Sequence, residues 1–507
     1  MRLFYLVVGL GLVTVLTRCG ADGPTAAEAP DGQQLSVQHC GGCHAYPEPG
    51  LLDHATWQRY VLPRMGHRLG IYASDSLRAS LIEAGAGGQR VERAGVYPKQ
   101  PQLTEAEWAA LQKYYLDQAP PQLDSVTAPP LAVGLPTFRA RVPEFRLSPP
   151  STTLVSVQSG GFFIGDANSR RLYQFDAQRQ LLNAANVREG AVSLSPTPGA
   201  LNVTVMGSFS PTDTPTGFVL ALPTQAGQSP RVLLDSLQRP VHTTYADLND
   251  NGRMDIITCE FGKWTGGLAW WENRGGDRYQ KHWLRPRPGA TRAYVRDLNG
   301  DQRPDVLALF GQGDEGVFAY YNQGNGSFRE EALLRFPPSY GSSSLILFDT
   351  DGDGHEDLVH TAGDNADYPP VTKPYHGIRI FRNDGTNHFK ESWFYPLPGA
   401  YAAVPADFDQ DGDLDFAAIS FFPDYARSAQ RGFVYLENQG DFQFKEYTFP
   451  EVAAGRWLVM DAGDVDQDGD EDVVLGSLSF EVVPPNGLLA QWVARGVPFV
   501  VLENTLR

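Results

Sequence analysis

The sequence predicts a multidomain chain, a small all-α domain followed by an all-β propeller. Three observations carry that prediction. Five acidic nonapeptides recur at spacings of 50, 52, 58 and 57 residues, each between two apolar runs, and a period of about 40–60 residues built from short strands and turns is the pattern of propeller blades. The first 119 residues lack this repeat and space their apolar residues for helices around one Cys-Gly-Gly-Cys-His run. Between the two lies a stretch rich in proline, which interrupts both helix and sheet.

Composition limits the functions open to the chain. Its 507 residues admit two to four domains at about 100–200 residues each. With 42% hydrophobic and 20% charged residues it can build cores and is not wholly disordered. Basic residues number 41 against 59 acidic ones, a net charge of −18. That balance opposes nucleic acid and anionic membrane surfaces, whose phosphates need basic patches, and it invites a cation. Four cysteines in so long a chain exclude a disulfide scaffold.

Residues 1–18 read as a secretion signal. Leu3–Leu16 is apolar behind Arg2, and its 14 residues fall short of the roughly 20 that span a bilayer. The run Leu16-Thr17-Arg18-Cys19-Gly20 resembles a bacterial lipobox, with Arg18 where that family has a small residue. The resemblance implies an exported protein in the periplasm or at the cell surface, lipidated at Cys19 and held to the membrane by that anchor alone; ordinary secretion is the alternative. Residues 19–32 are small and polar and suit a flexible tether.

Cys40-Gly41-Gly42-Cys43-His44 is a C-x-x-C-H run. Two thiols three positions apart on a helical turn can each bond one vinyl group of a porphyrin, and the following histidine offers a neutral imidazole to the iron. Zinc would need two more ligands at regular spacing, and the other cysteines are only Cys19 and Cys259. The expectation is covalent haem c on Cys40 and Cys43 with His44 as an axial ligand. Asp53 is placed to cap a helix bearing Trp57, Tyr60 and Val61, which Pro63 should end, leaving Met65 on the loop beyond. Thr104 and Glu107 form a capping box, after which Trp108, Leu111 and Tyr115 share one helical face. Residues 33–119 thus resemble a cytochrome c domain, and the resemblance implies that this last helix packs against the haem-bearing one. Met65 is the only methionine of the segment, and a Met/His pair raises the potential of the iron and suits electron transfer. His67, His54 and His39 stay open as the sixth ligand, as does an open position.

Residues 120–150 hold eight prolines, three times in pairs, and read as a semi-rigid linker. Beyond it, the nonapeptides are DLNDNGRMD (247–255), DLNGDQRPD (297–305), DTDGDGHED (349–357), DFDQDGDLD (407–415) and DVDQDGDED (464–472). Some 20 residues after each comes a strand ending in Asn, such as LAWWENRGG or FVYLENQGD. These repeats resemble the FG-GAP or VCBS family of integrin-like propellers. Residues 151–507 divide into seven units of 51, so seven blades are expected, with six or eight as alternatives; 151–239 would supply two blades without acidic loops.

In each nonapeptide, positions 1, 3, 5 and 9 carry Asp or Asn. Oxygens on alternate residues converge when the loop turns sharply, and hard oxygen ligands in a flexible cage suit Ca²⁺. The candidate ligands are Asp247, Asn249, Asn251 and Asp255; Asp297, Asn299, Asp301 and Asp305; Asp349, Asp351, Asp353 and Asp357; Asp407, Asp409, Asp411 and Asp415; and Asp464, Asp466, Asp468 and Asp472. Three to five ions are expected, with the ninth-position Asp standing in for the Glu of an EF-hand.

The calcium loops and the Asn-Gly turns should lie on one face of the propeller. The longer connections on the other face carry Trp264, Tyr368, Tyr375, Phe421, Phe422 and Tyr425 beside Asp364, Asp367, His376 and Asp424. That face either takes a glycan or protein ligand or uses the aromatics to pack its own loops. No P-loop, nucleophile elbow or H-E-x-x-H occurs, and no catalytic residue is assigned. The reading is an electron-transfer protein with a redox partner, its propeller a docking or scaffold domain. The alternatives are a sugar dehydrogenase passing electrons to its own cytochrome, and an integrin-like adhesion or carbohydrate-binding protein.

Overall fold

The computed structural model describes residues 30–126, 128–225, 227–366, 371–479 and 487–506; Leu3–Leu16, Cys19, most of the tether, Asp367 and Tyr368 lie outside the described residues. Seven antiparallel sheets form a seven-bladed propeller. Blades one to six run in chain order over 152–186, 191–237, 240–285, 290–335, 342–396 and 400–448, and the seventh occupies 457–504. The second strand is buried from end to end in six blades, as in Asp305–Phe310 and Asp415–Ser420, and over its last four residues in the second blade, because it faces a neighbouring blade on each side. Apolar side chains of adjacent blades interlock there: Trp270, Phe310 and Phe318 share one cluster, and Phe408, Tyr435 and Trp457 another. Each such side chain contributes about 1.5–3 kcal/mol by leaving water.

The proline-rich segment is not a free spacer. Its Phe138–Arg141 stretch is the fourth strand of the seventh blade, paired antiparallel with Phe499–Asn504, and Ala132–Val133 adds a short parallel fifth strand to the sixth. The ring therefore closes by joining residues over 360 positions apart. Phe138 inserts beside Phe408 and Tyr435, and Arg141 grips Glu503 at 2.7 and 2.8 Å.

All seven first strands bulge at their second residue: the ladder slips at Thr153, Val192, Val241, Thr291, Ser343, Tyr401 and Leu458. Such a bulge bends its strand, and one in the same place in every blade gives seven alike units around the axis.

Residues 30–119 form a helical head. Gly32–Cys40 crosses Glu105–Gln118 so closely that a Cβ at position 32 would lie 2.3 Å from the Ala110 carbonyl oxygen. Asp53 caps the helix beginning at His54, and Thr104 and Glu107 bond reciprocally, both as expected. Pro63 does not end a helix. A π turn over Trp57–Val61 leads into a helix over Leu62–Arg68, with Pro63 in its first turn, where a missing N–H costs no bond. Met65 consequently sits inside a helix and not on a loop. Among the described residues no helix is long and apolar enough to cross a membrane.

Candidate functional site

The C-x-x-C-H turn hangs from the end of the first helix. Cys40 is its last residue, Gly41 closes it, and Cys43 and His44 follow in the turn. Both thiols are free. Cys40 packs on the head core with Trp57, Leu111 and Tyr115, and burial raises its pKa, whereas Cys43 is exposed. The His44 Nδ1 lies 2.9 Å from the Ala45 carbonyl oxygen, and burial lowers the pKa of the ring. A neutral imidazole donating through Nδ1 leaves the Nε2 lone pair free, the state that binds a metal. Two unbonded thiols flanking a turn, followed by such a histidine, are a donor set that fits covalent haem.

Met65 packs on the same core as Cys40. Among the other candidates, His67 stacks on Tyr72 at 5.7 Å, His54 opens the short helix that Asp53 caps, and His39 lies in the last turn of the first helix.

The turn faces the propeller. Arg287, in the connection between blades three and four, donates to the Cys43 carbonyl oxygen at 3.5 Å, and Asp314 and Arg335 of blade four are the charged groups acting on His44. Two further contacts seat the head. Glu83 accepts from the Thr212 and Thr214 hydroxyls and the Asp213 N–H at 3.0–3.2 Å, and Tyr375 donates to the Leu51 carbonyl oxygen at 2.9 Å. Buried Asp213 in turn accepts from the N–H groups of Trp264 and Thr265 at 2.9 and 2.7 Å, and the Arg68 guanidinium lies over the Trp264 and Tyr97 rings at 4.1 and 4.7 Å. On blades two to five, then, the longer loops hold the chain's own head. Sequence reasoning missed this seat. Its signals were the hydroxyl-rich Thr212-Asp213-Thr214 run and Gly87, where a Cβ would sit 2.7 Å from the Thr214 nitrogen.

The remaining described aromatics of that face pack inward. Phe421, Phe422 and Tyr425 surround the buried Arg456 guanidinium at 3.6, 5.4 and 5.9 Å. His376 is 1% exposed, and Asp364 accepts the Ala366 N–H of its own loop. Asp424 bonds the Ala426 and Arg427 N–H groups of its own loop. Cys259 is fully buried, a small core residue.

The acidic loops lie on the opposite face, joining first and second strands. The first carboxylate of each accepts backbone N–H groups from the far side of its own loop, as Asp349 does from Gly352, Asp353 and Gly354 at 2.8, 3.2 and 2.9 Å. Positions 4 and 6 are left-handed in all five loops, including the non-glycine Asp250, Gln302, Gln410 and Gln467. In the last three loops positions 1, 3 and 5 (Asp349, Asp351 and Asp353; Asp407, Asp409 and Asp411; Asp464, Asp466 and Asp468) bring carboxylate oxygens within 4.8 Å of one another. Burial, reinforced by the neighbouring Asp411 or Asp468, raises the pKa of Asp409 and Asp466.

The five loops are not equivalent. Asp301 in the second is paired with Arg303 at 2.5 Å, Asn249 in the first bonds Glu272, and Asp351 in the third lies 3.3 Å from Arg382. The ninth-position Asp255, Asp305, Asp357, Asp415 and Asp472 are not members of the clusters. They are buried beneath the loops, where one oxygen accepts the N–H of the third-strand asparagine: Asn273, Asn322, Asn383, Asn438 and Asn504 at 2.7–2.8 Å. They brace the loop to the sheet, and the asparagine side chain adds a second tie, its Nδ2 donating to the carbonyl oxygen of the eighth loop residue (Met254, Pro304, Glu356, Leu414 and Glu471) at 3.0–3.3 Å.

A family model described as an FG-GAP-like repeat matches residues 247–308, 297–360 and 371–418, which include the first four acidic loops. No curated protein matches the chain. Solved structures with a similar fold include the N-terminal domain of Nup159, at 10% identity and a TM-score of 0.42, covering 74% of this chain and 97% of that one. A catalytically inactive virginiamycin B lyase from Staphylococcus aureus with quinupristin matches at 10% identity and 0.46, covering 73% and 100%. Saccharomyces cerevisiae Sqt1 matches at 9% and 0.44, covering 74% and 100%.

Proposed function

We propose that this FG-GAP-repeat propeller protein is an exported, lipid-anchored c-type cytochrome that transfers electrons between its head and a redox partner protein. The observation that carries the reading is the pair of free thiols, Cys40 and Cys43, followed by a His44 whose Nδ1 is tied to the Ala45 carbonyl. Cys40 and Cys43 would hold haem c through thioether bonds and His44 would bind its iron, with Met65 the leading sixth ligand. Bound there, the group would supply one-electron chemistry. The chain's own part is to keep His44 neutral and oriented through Nδ1 and to exclude water from the Cys40 side by packing Trp57, Leu111 and Tyr115 against it.

The propeller is the scaffold, and we infer that its acidic loops bind calcium, most tightly in blades six and seven, whose clustered carboxylates, among the described residues, carry no ion pair of the kind Arg303 makes with Asp301 and Arg382 with Asp351. A haem on the head and calcium in the loops of the opposite face would be separated by the depth of a blade, so calcium should leave the iron potential nearly unchanged.

The test is expression with a complete haem-maturation system. A Soret band that stays with the denatured polypeptide, and is lost in Cys40→Ala/Cys43→Ala, is expected. Purified protein without covalent haem would overturn the reading.

A further inference from the structure

Around the C-x-x-C-H turn, the charged groups are supplied largely by the propeller. Arg287 is exposed beside the turn and bonds the Cys43 backbone. Asp314 is held between two guanidinium groups: Arg335, and the buried Arg285, which also reaches Glu330 at 2.9 Å and lies 3.6 Å over the Phe318 ring. Asp314 is therefore fixed in position and cannot swing away to pair elsewhere. Of the head's own charges, Arg68 acts on Cys43, but its guanidinium is pinned by Trp264, itself a propeller residue. The contacts of Glu83, Tyr375 and Arg68 seat the head that carries the turn on the propeller loops.

We propose that the propeller completes the electrostatic environment of the C-x-x-C-H turn, Asp314 and Arg287 together setting the reduction potential of a haem held there. The inference rests on the haem reading. Its physical basis is that oxidation adds one positive charge at the iron. A fixed negative charge nearby stabilises the oxidised state and lowers the potential, and a fixed positive charge raises it, with less screening in a partly buried interface than in water. Both are positioning residues and neither touches a reacting atom.

The opposite signs make the test sharp. Asp314→Asn should raise the midpoint potential and Arg287→Gln should lower it, each moving the electron-exchange equilibrium with a reference couple by roughly tenfold. Arg335→Gln, at an exposed residue whose loss should not disturb folding, should lower it too. Asp384→Asn makes the same charge change on the calcium face and should leave the potential where it was. The visible spectrum should be the same in all four, since the axial ligands are untouched. Equal or same-direction shifts in Asp314→Asn and Arg287→Gln would overturn the proposal, because a merely structural disturbance has no reason to follow charge. A second readout needs no haem. In the metal-free full-length protein the His44 ring resonances should move in Asp314→Asn and Arg287→Gln but not in Asp384→Asn, and unmoved resonances would overturn the proposal as well. A wild-type protein that takes up no haem is a different failure, that of the functional reading.

Discussion

Blades one and two join their first and second strands with two residues, 159–160 and 198–199, whereas blades three to seven use eight for the same connection. The sheets on either side are alike: four antiparallel strands (with a short parallel fifth on the sixth blade), a largely buried second strand, a bulge in the first. A blade therefore closes without an acidic loop. What the longer loop adds is a buried bracing carboxylate and a cage of oxygens, and it takes two left-handed residues where each plain turn takes one, Gly160 or Gly199, a conformation that costs stability at non-glycine positions. The contrast makes the two plain blades an internal control for the five elaborate ones.

Calcium should separate the two groups most strongly. At a hundredfold excess over its Kd, each filled site should add about 2.7 kcal/mol, so exhaustive chelation should lower the melting temperature and reduce hydrogen-exchange protection in blades five to seven, leaving blades one and two as they were. Uniform loss around the ring, or none, would remove the distinction.

The brace comes next. Asp415→Ala leaves the Asn438 N–H and the Tyr435 hydroxyl without their acceptor and should cost about 2 kcal/mol in urea unfolding, with or without calcium. A loss that vanishes on adding chelator would make Asp415 a ligand and not a brace.

The pH dependence should differ with metal. Burial pushes Asp415 up to about 7 and Asp472 up to about 6. The folded protein then holds these protons at a pH where the unfolded chain, titrating at the ordinary value near 4, has released them. Through these two groups the stability of the chelated protein falls as pH rises from about 4 to about 7, a contribution read as the difference from Asp415→Asn, because buried His242, His360 and His376 act in the opposite sense and Glu315 is pushed up to about 8. Asp415→Asn should flatten part of that slope, and so should calcium, which favours the ionised loop. Thermal unfolding across that range reads it.

The smallest effect lies in the backbone. Gln302 stands at φ 66° where the other four loops have glycine, so Gln302→Gly should stabilise by about 1 kcal/mol; Gly199→Ala, at φ 80° in the plain second blade, should destabilise by a similar amount.

Much of this was legible from the chain. The spacing of the nonapeptides marked the blades and their number, because each blade is a local unit whose strands pair with their neighbours in sequence. The capping box at Thr104 and the C-x-x-C-H turn were equally readable, being set by residues within a few positions of one another. The role of Phe138–Arg141 was not: a proline-rich composition reads as spacer, and its partner strand lies more than 360 residues away. Pro63 misled because a widened turn over Trp57–Val61 precedes it and sets it in the first turn of a new helix, with Trp57 and Leu62 both in the head core. The ninth-position aspartates were seen as residues but not as braces, because their partners lie a full strand further on.

From its amino acids alone, the protein's repeats, its cysteine–histidine motif and its acidic loops followed, since alternation, spacing and charge are properties of short stretches. Only the tertiary structure decided that the head sits on the loop face, that residues 138–141 close the ring, and which carboxylates meet in space. Those outcomes depend on contacts between segments hundreds of residues apart, and such contacts are chosen by shape and by the pairing of buried polar groups, neither of which leaves a pattern along the chain.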